Sequence, residues 1–130
     1  MNISAQIFLW ALVLNFVWEV AHSRLYAHFW GGPIGYLILI GAAVLDGLAI
    51  LAMIYLVRRL FPDKYRLGVL VVGGIGVAVV VERVATALGL WEYRPAMPIV
   101  PVLNTGLTPT VQLGLLAGVV FWIVFKRRVV

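Results

Sequence analysis

The chain has 130 residues, 64% of them hydrophobic and only 12% charged, with a formal net charge of +5 and no cysteine. So few ionic side chains cannot cover the surface of a soluble domain, and a mean hydropathy of +1.07 points to a bilayer as the solvent. The missing cysteines exclude disulfides, thiolate metal sites and thiol chemistry.

Spanning the hydrocarbon takes about 20 mostly apolar residues in a helix. Stretches 3–21, 34–57, 67–88 and 107–125 meet that requirement. The expectation is an all-α polytopic membrane protein, a single four-transmembrane-helix bundle over 1–130. Its helices are expected over about 3–26, 34–60, 67–89 and 106–127, with an outer loop over 90–105. The first apolar run lacks the basic flank and small-residue cleavage site of a signal peptide, so it is expected to stay as a helix. It carries Asn15, Glu19 and His22 at i, i+4 and i+7, on one helical face. Gly31-Gly32-Pro33 then turns the chain, and Tyr26, Phe29, Trp30 and Tyr36 suit the outer headgroup region.

Helix two carries a lone Asp46. Arg58, Arg59, Lys64 and Arg66 crowd the short turn into helix three, while Lys126, Arg127 and Arg128 lie at the far end of helix four. With four spans these groups fall on one side, which the positive-inside rule makes cytoplasmic, giving an N-in/C-in topology. They are topology signals and anionic-lipid contacts rather than a nucleic-acid footprint. In helix three, Gly74, Ala78 and Glu82 fall on one stripe, so Glu82 is expected to face the bundle, with Thr86 one turn on. Gly73-Gly74-Ile75-Gly76 sits inside an apolar span, where packing explains it better than a phosphate does.

The outer connection holds Pro95, Pro98 and Pro101, with Pro109 following. That spacing predicts extended, polyproline-like backbone, tolerated at membrane depth only when it lies on protein or lines a cavity. It reads as a flap over the outer mouth or as an interfacial loop anchored by Trp91 and Tyr93. Helix four pairs Thr108 with Gln112 at i, i+4. Its Gly114 and Gly118 form a small-residue stripe suited to close helix packing or to a homo-oligomer contact.

A carboxylate at the bilayer centre costs about 2.5–3.5 kcal/mol on insertion scales, so such groups turn inward and pair. At a rise of ~1.5 Å per residue, Glu19 and Glu82 come out roughly level, about 24 and 22 Å above the cytoplasmic helix starts. Asp46 falls ~18 Å below the outer start of helix two, about 10 Å deeper than the other two. Glu19 and Glu82 are therefore the expected pair, and Asp46 a deeper relay. Two neighbouring carboxyls in a poor solvent cannot both ionise easily, which leaves a general acid beside a general base. The competing reading pairs each glutamate with Arg24, Arg83 or Arg94. Glu19-x-x-His22 has the spacing of helical di-iron ligands, but the motif occurs once and His28 lies beyond the helix. No metal and no cofactor are expected, Glu19 and His22 being the nearest candidates. Met53 and Met97 read as packing.

The sequence also resembles an uncharacterised family of small four-helix bacterial membrane proteins. The resemblance is carried by Trp18, Glu19, Leu25 and Tyr26, by Asp46 and Glu82, and by Gly89, Trp91, Tyr93, Met97, Pro98, Gly106, Leu107, Pro109 and Gln112. It touches all four helices and implies a bacterial inner-membrane location. Glu82 with Gly89, Trp91 and Tyr93 is more distantly similar to the outer-end motif of membrane carotenoid hydratases and heterodimeric lycopene cyclases. That likeness implies carboxylate acid catalysis on an apolar substrate entering from lipid.

The leading expectation is thus an intramembrane acid–base enzyme or enzyme subunit acting on an isoprenoid or other lipid-like molecule. Glu19, Glu82 and Asp46 would be catalytic. Asn15, His22, Arg24, Trp91, Tyr93, Arg94 and Gln112 would bind or tune the substrate, and segment 91–101 would shield the site. The alternatives are a proton- or cation-coupled transport module and a non-catalytic scaffold whose acids only pin helices.

Overall fold

The computed structural model describes residues 1–126. Arg127, Arg128 and the last residue of the expected fourth helix lie outside the described residues. The chain is mostly helical: α1 (Ile3–His22), α2 (Tyr36–Leu60), α3 (Asp63–Ala87) and α4 (Leu107–Lys126). All four are long and apolar enough to cross a membrane, so the protein is a multi-pass four-helix bundle.

Helix α1 starts on Asn2, whose side chain accepts from the Ala5 N–H at 2.8 Å. It stops at His22, four residues before the expected end, and passes through one 3-10 turn into strand β1 (Tyr26–Phe29). The reason lies 65 residues on. Strand β2 (Trp91–Tyr93) pairs antiparallel with β1, Tyr26 opposite Tyr93 and Phe29 opposite Trp91. The flanking bonds Arg94 N–H to Leu25 O (2.8 Å) and Trp30 N–H to Leu90 O (2.7 Å) extend the ladder. Backbone groups that a longer helix would have satisfied are satisfied across this ladder instead. Trp30 and Gly31, at φ of 49° and 74°, then reverse the chain toward α2.

The outer connection also departs from the polyproline expectation. After β2 it forms a second ladder, β3 (Ile99–Val100) with β4 (Thr105–Gly106), closed by a turn with Val102 at φ 71° and Asn104 at φ 54°. At the opposite end, Phe61-Pro62 alone separates α2 from α3. Arg66 ion-pairs with Asp63 and donates to the carbonyls of Arg58 (2.8 Å) and Phe61 (3.0 Å), satisfying orphan acceptors at the end of α2. Asp63 in the first turn of α3 starts that helix four residues earlier than expected.

The helices pack as α1 on α2 and α3 on α4, with α1 also against α4, while α2 and α3 touch little. The α3–α4 contact is backbone on backbone. A Cβ added at Gly74 would overlap the Gly114 backbone, and one at Gly114 would overlap the Val71 carbonyl. Gly118 lies against the side chains of Val71 and Leu67. Of the two uses expected for this stripe, close helix packing is the one seen within the chain, because α3 presents its own glycine at the same level. Ile7, Ala11, Ile50, Ile54, Leu70, Ala117 and Val120 are 0% exposed and fill the half of the bundle toward the basic turn with hydrocarbon. Gly114→Ala is expected to lower stability by about 1–3 kcal/mol through overpacking, read as a drop in unfolding temperature in detergent. Gly73→Ala, where the added methyl meets open space, is expected to stay within about ±0.5 kcal/mol.

Candidate functional site

Helix α1 turns Asn15 and His22 inward, both buried, with Glu19 between them. Helix α4 brings Gln112 opposite. Its amide nitrogen lies 2.8 Å from Glu19 Oε1, 3.0 Å from Asn15 Oδ1 and 3.1 Å from Asp46 Oδ2. Glu19 and Asp46 thus meet at a single donor, the Gln112 amide nitrogen. The second Glu19 oxygen meets His22 Nε2 at 3.1 Å, and His22 Nδ1 lies 3.1 Å from Thr108 Oγ1. One continuous polar chain thus joins α1, α2 and α4.

Glu82 sits in a second cluster. It is 7% exposed and accepts from Tyr93 OH at 2.5 Å, Trp91 Nε1 at 3.1 Å and Tyr26 OH at 3.4 Å. All three donors come from the β1–β2 ladder. Beyond the spanning helices, the phenols of Tyr26 and Tyr93 are held well above the ordinary tyrosine range. Burial is the first cause, and the neighbouring Glu82 carboxylate adds to it.

The expected grouping is therefore corrected. Asp46, not Glu82, shares the Gln112 amide with Glu19, so it sits beside Glu19 rather than as a deeper relay. Counting residues assumed helix ends level with one another. In fact α1 stops at His22 while the chain climbs through β1 before α2 begins at Tyr36. The first turns of α2 therefore rise past the end of α1, which brings Asp46 alongside Glu19. The guanidinium pairing fails as well. Arg24 and Arg94 are exposed, Arg94 donates to the Tyr26 carbonyl at 3.0 Å, and Arg83 to the Leu103 carbonyl at 2.9 Å. Among the described residues no arginine or lysine ion-pairs with Glu19, Asp46 or Glu82. Glu19 and His22 bond to each other, and no third His, Asp or Glu among the described residues completes a metal-binding group with them.

Both clusters open on one cavity of about 830 Å³. Glu19, His22, Asp46, Glu82 and Gln112 supply its polar wall, and Tyr26, Phe29 and Trp91 an aromatic one. The remainder is aliphatic, largely from α2 and α3. Its lining includes Leu45 on α2 and Val81 on α3, 69% and 49% exposed, together with exposed Gly41 and Val77. The mouth therefore lies between two membrane-spanning helices and faces lipid. Tyr26 and Thr108 complete the two clusters but stood outside the expected site. The signals available for them were the i, i+4 offset of Tyr26 from His22 and of Thr108 from Gln112.

Gln112→Leu is expected to leave three buried oxygens short of a donor and to cost about 1–3 kcal/mol, measured by thermal unfolding in detergent. Ultraviolet titration should find tyrosines that ionise only at strongly alkaline pH. Glu82→Gln, by removing a negative neighbour, should bring that titration partway down; burial, which remains, should keep it above the ordinary range. No family model, curated protein or solved structure matches the chain. The functional reading therefore rests on the cavity and its polar groups.

Proposed function

We propose that the protein is an intramembrane acid–base enzyme, or the catalytic subunit of one, acting on an apolar, lipid-like molecule such as an isoprenoid. Its place would be a bacterial inner membrane. The observation that carries this reading is the convergence of two carboxyls, Glu19 and Asp46, on the Gln112 amide at the wall of an apolar cavity of about 830 Å³ with a lipid-facing mouth. Cavities of roughly 300–1,000 Å³ with a few convergent polar groups are the usual form of a small-molecule site. A proton shared by these two carboxyls would be the one transferred. The Gln112 amide, donating to both carboxyls, stabilises the charge left behind. His22, between Glu19 and Thr108, orients the donor and supplies a route for its reprotonation.

Conduction across the membrane is disfavoured by the dry half of the bundle. Below Asn15 the buried side chains are aliphatic, including Ile7, Ala11, Ile50, Ile54 and Leu70, and a proton path needs polar groups or water. A scaffold whose acids merely pin helices would have no use for a cavity beside them.

Glu19→Gln and Asp46→Asn are each expected to lower turnover by about 10²–10⁴-fold, the usual range for a lost acid or base. In cells lacking the native protein, mass spectrometry of lipid extracts should then show an apolar precursor accumulating. Extracts indistinguishable from wild type, with both variants folded and present in the membrane at normal levels, would overturn the proposal.

A further inference from the structure

We infer that the cavity selects a lipophilic cation, or an amine that becomes one, and rejects anionic amphiphiles such as fatty acids and phosphorylated lipids. The inference rests on reading the cavity as a ligand site open to lipid, and it goes further by assigning the charge of the ligand. Three carboxyl groups face this space, Glu19, Asp46 and Glu82, and no lysine or arginine lines it. Of the two histidines that line it, His22 bonds to Glu19 and His28 faces Glu92 at 3.6 Å. Glu82 accepts from three neutral donors, so among the described residues the three carboxyls face the cavity with no lysine or arginine opposite them.

A charge in so poor a solvent calls for a partner. An arriving cation supplies one, whereas an anionic headgroup would sit against like charge with no guanidinium or ammonium to hold it. At the start of α4 the Leu107 N–H is engaged, donating to the Pro98 carbonyl at 2.7 Å, and Pro109 offers no N–H. Tyr26, Phe29 and Trp91 add π faces within the same wall, a surface that attracts desolvated cations. The approach is apolar on both sides, through Gly41 and Leu45 of α2 and Val77 and Val81 of α3. A hydrophobic body is therefore required of the ligand, and its charge must be delocalised or shielded to cross that mouth. A protonatable amine could also enter neutral and take the proton held between Glu19 and Asp46, leaving an ammonium beside two carboxylates with atoms and charge balanced.

Tetraphenylphosphonium and tetraphenylborate, nearly identical in shape and opposite in charge, test the charge preference directly. The protein in neutral detergent is titrated calorimetrically with each ion, and protein-free micelles serve as the blank. The expected result is saturable binding of the phosphonium, at least about tenfold tighter than any binding of the borate, a difference of 1.4 kcal/mol. Glu82→Gln or Asp46→Asn should weaken the phosphonium by several-fold in protein that elutes as a single folded species. Equal affinity for the two ions, or preference for the borate, overturns the charge assignment while leaving the proposed lipid-facing site standing. Saturable binding of neither ion overturns both. The wild-type comparison needs no variant to fold.

Discussion

The Gln112 amide has two hydrogens and three oxygens within reach, belonging to Asn15, Glu19 and Asp46. Two donors cannot fully satisfy three acceptors when two of those are carboxylates beside one another in hydrocarbon. The network that ties α1, α2 and α4 together therefore gathers two carboxyls around one amide. Its contribution to holding the helices together is modest. Interhelical hydrogen bonds in membranes average about 0.6 kcal/mol and reach about 1.7. The bundle relies instead on the Gly74–Gly114 backbone contact and on the aliphatic core. The polar chain adds register and chemistry to helices that packing already holds.

Connectivity explains why a cavity forms where it does. The two-residue Phe61-Pro62 turn ties α2 to α3 at the basic end, where the core is dry and filled. At the other end the loops join α1 to α2 and α3 to α4, and nothing in the chain draws the upper halves of α2 and α3 together. The space between them is bounded above by the β1–β2 ladder, which unites those two loops. Glu82 fastens that ladder to α3 through Tyr93, Trp91 and Tyr26. A carboxylate buried near the outer end of a membrane helix is thus satisfied by loop residues rather than by another helix.

Much of this was legible in the sequence wherever one helix decides the outcome. Apolar run length set the four spans. The Asn15–Glu19–His22 face and the Gly74–Ala78–Glu82 stripe turn inward as 3.6-residue periodicity requires. What was not legible depends on how the ends of different helices sit. The level of Asp46 could not be counted without knowing that α1 yields to a strand at Ser23. That strand in turn needs Trp91-Glu92-Tyr93 as its partner, a contact with no local signature beyond aromatic residues prone to strand. Alternation is visible in hindsight: Trp91 and Tyr93 turn to Glu82, and Glu92 between them faces out. Prolines 95, 98 and 101 misled because spacing reports backbone preference and says nothing of the ladder between Ile99–Val100 and Thr105–Gly106.

The two acidic clusters handle burial in different ways, and the difference bears on the proposed chemistry. Glu82 is surrounded by hydroxyl and indole donors from the loops. Glu19 and Asp46 share one amide donor, with His22 on the second Glu19 oxygen, and in the proposed chemistry they hold the movable proton. Protonating an apolar substrate creates positive charge in a medium that cannot solvate it, so a proton source alone would be insufficient. The source must share its cavity with a standing anion and with polarisable rings. Glu82, Tyr26 and Trp91 stand on the same wall as the proton-bearing pair. The same arrangement that would lower the barrier to forming a cation would hold a preformed one, so acid chemistry and cation selectivity follow from a single charge distribution.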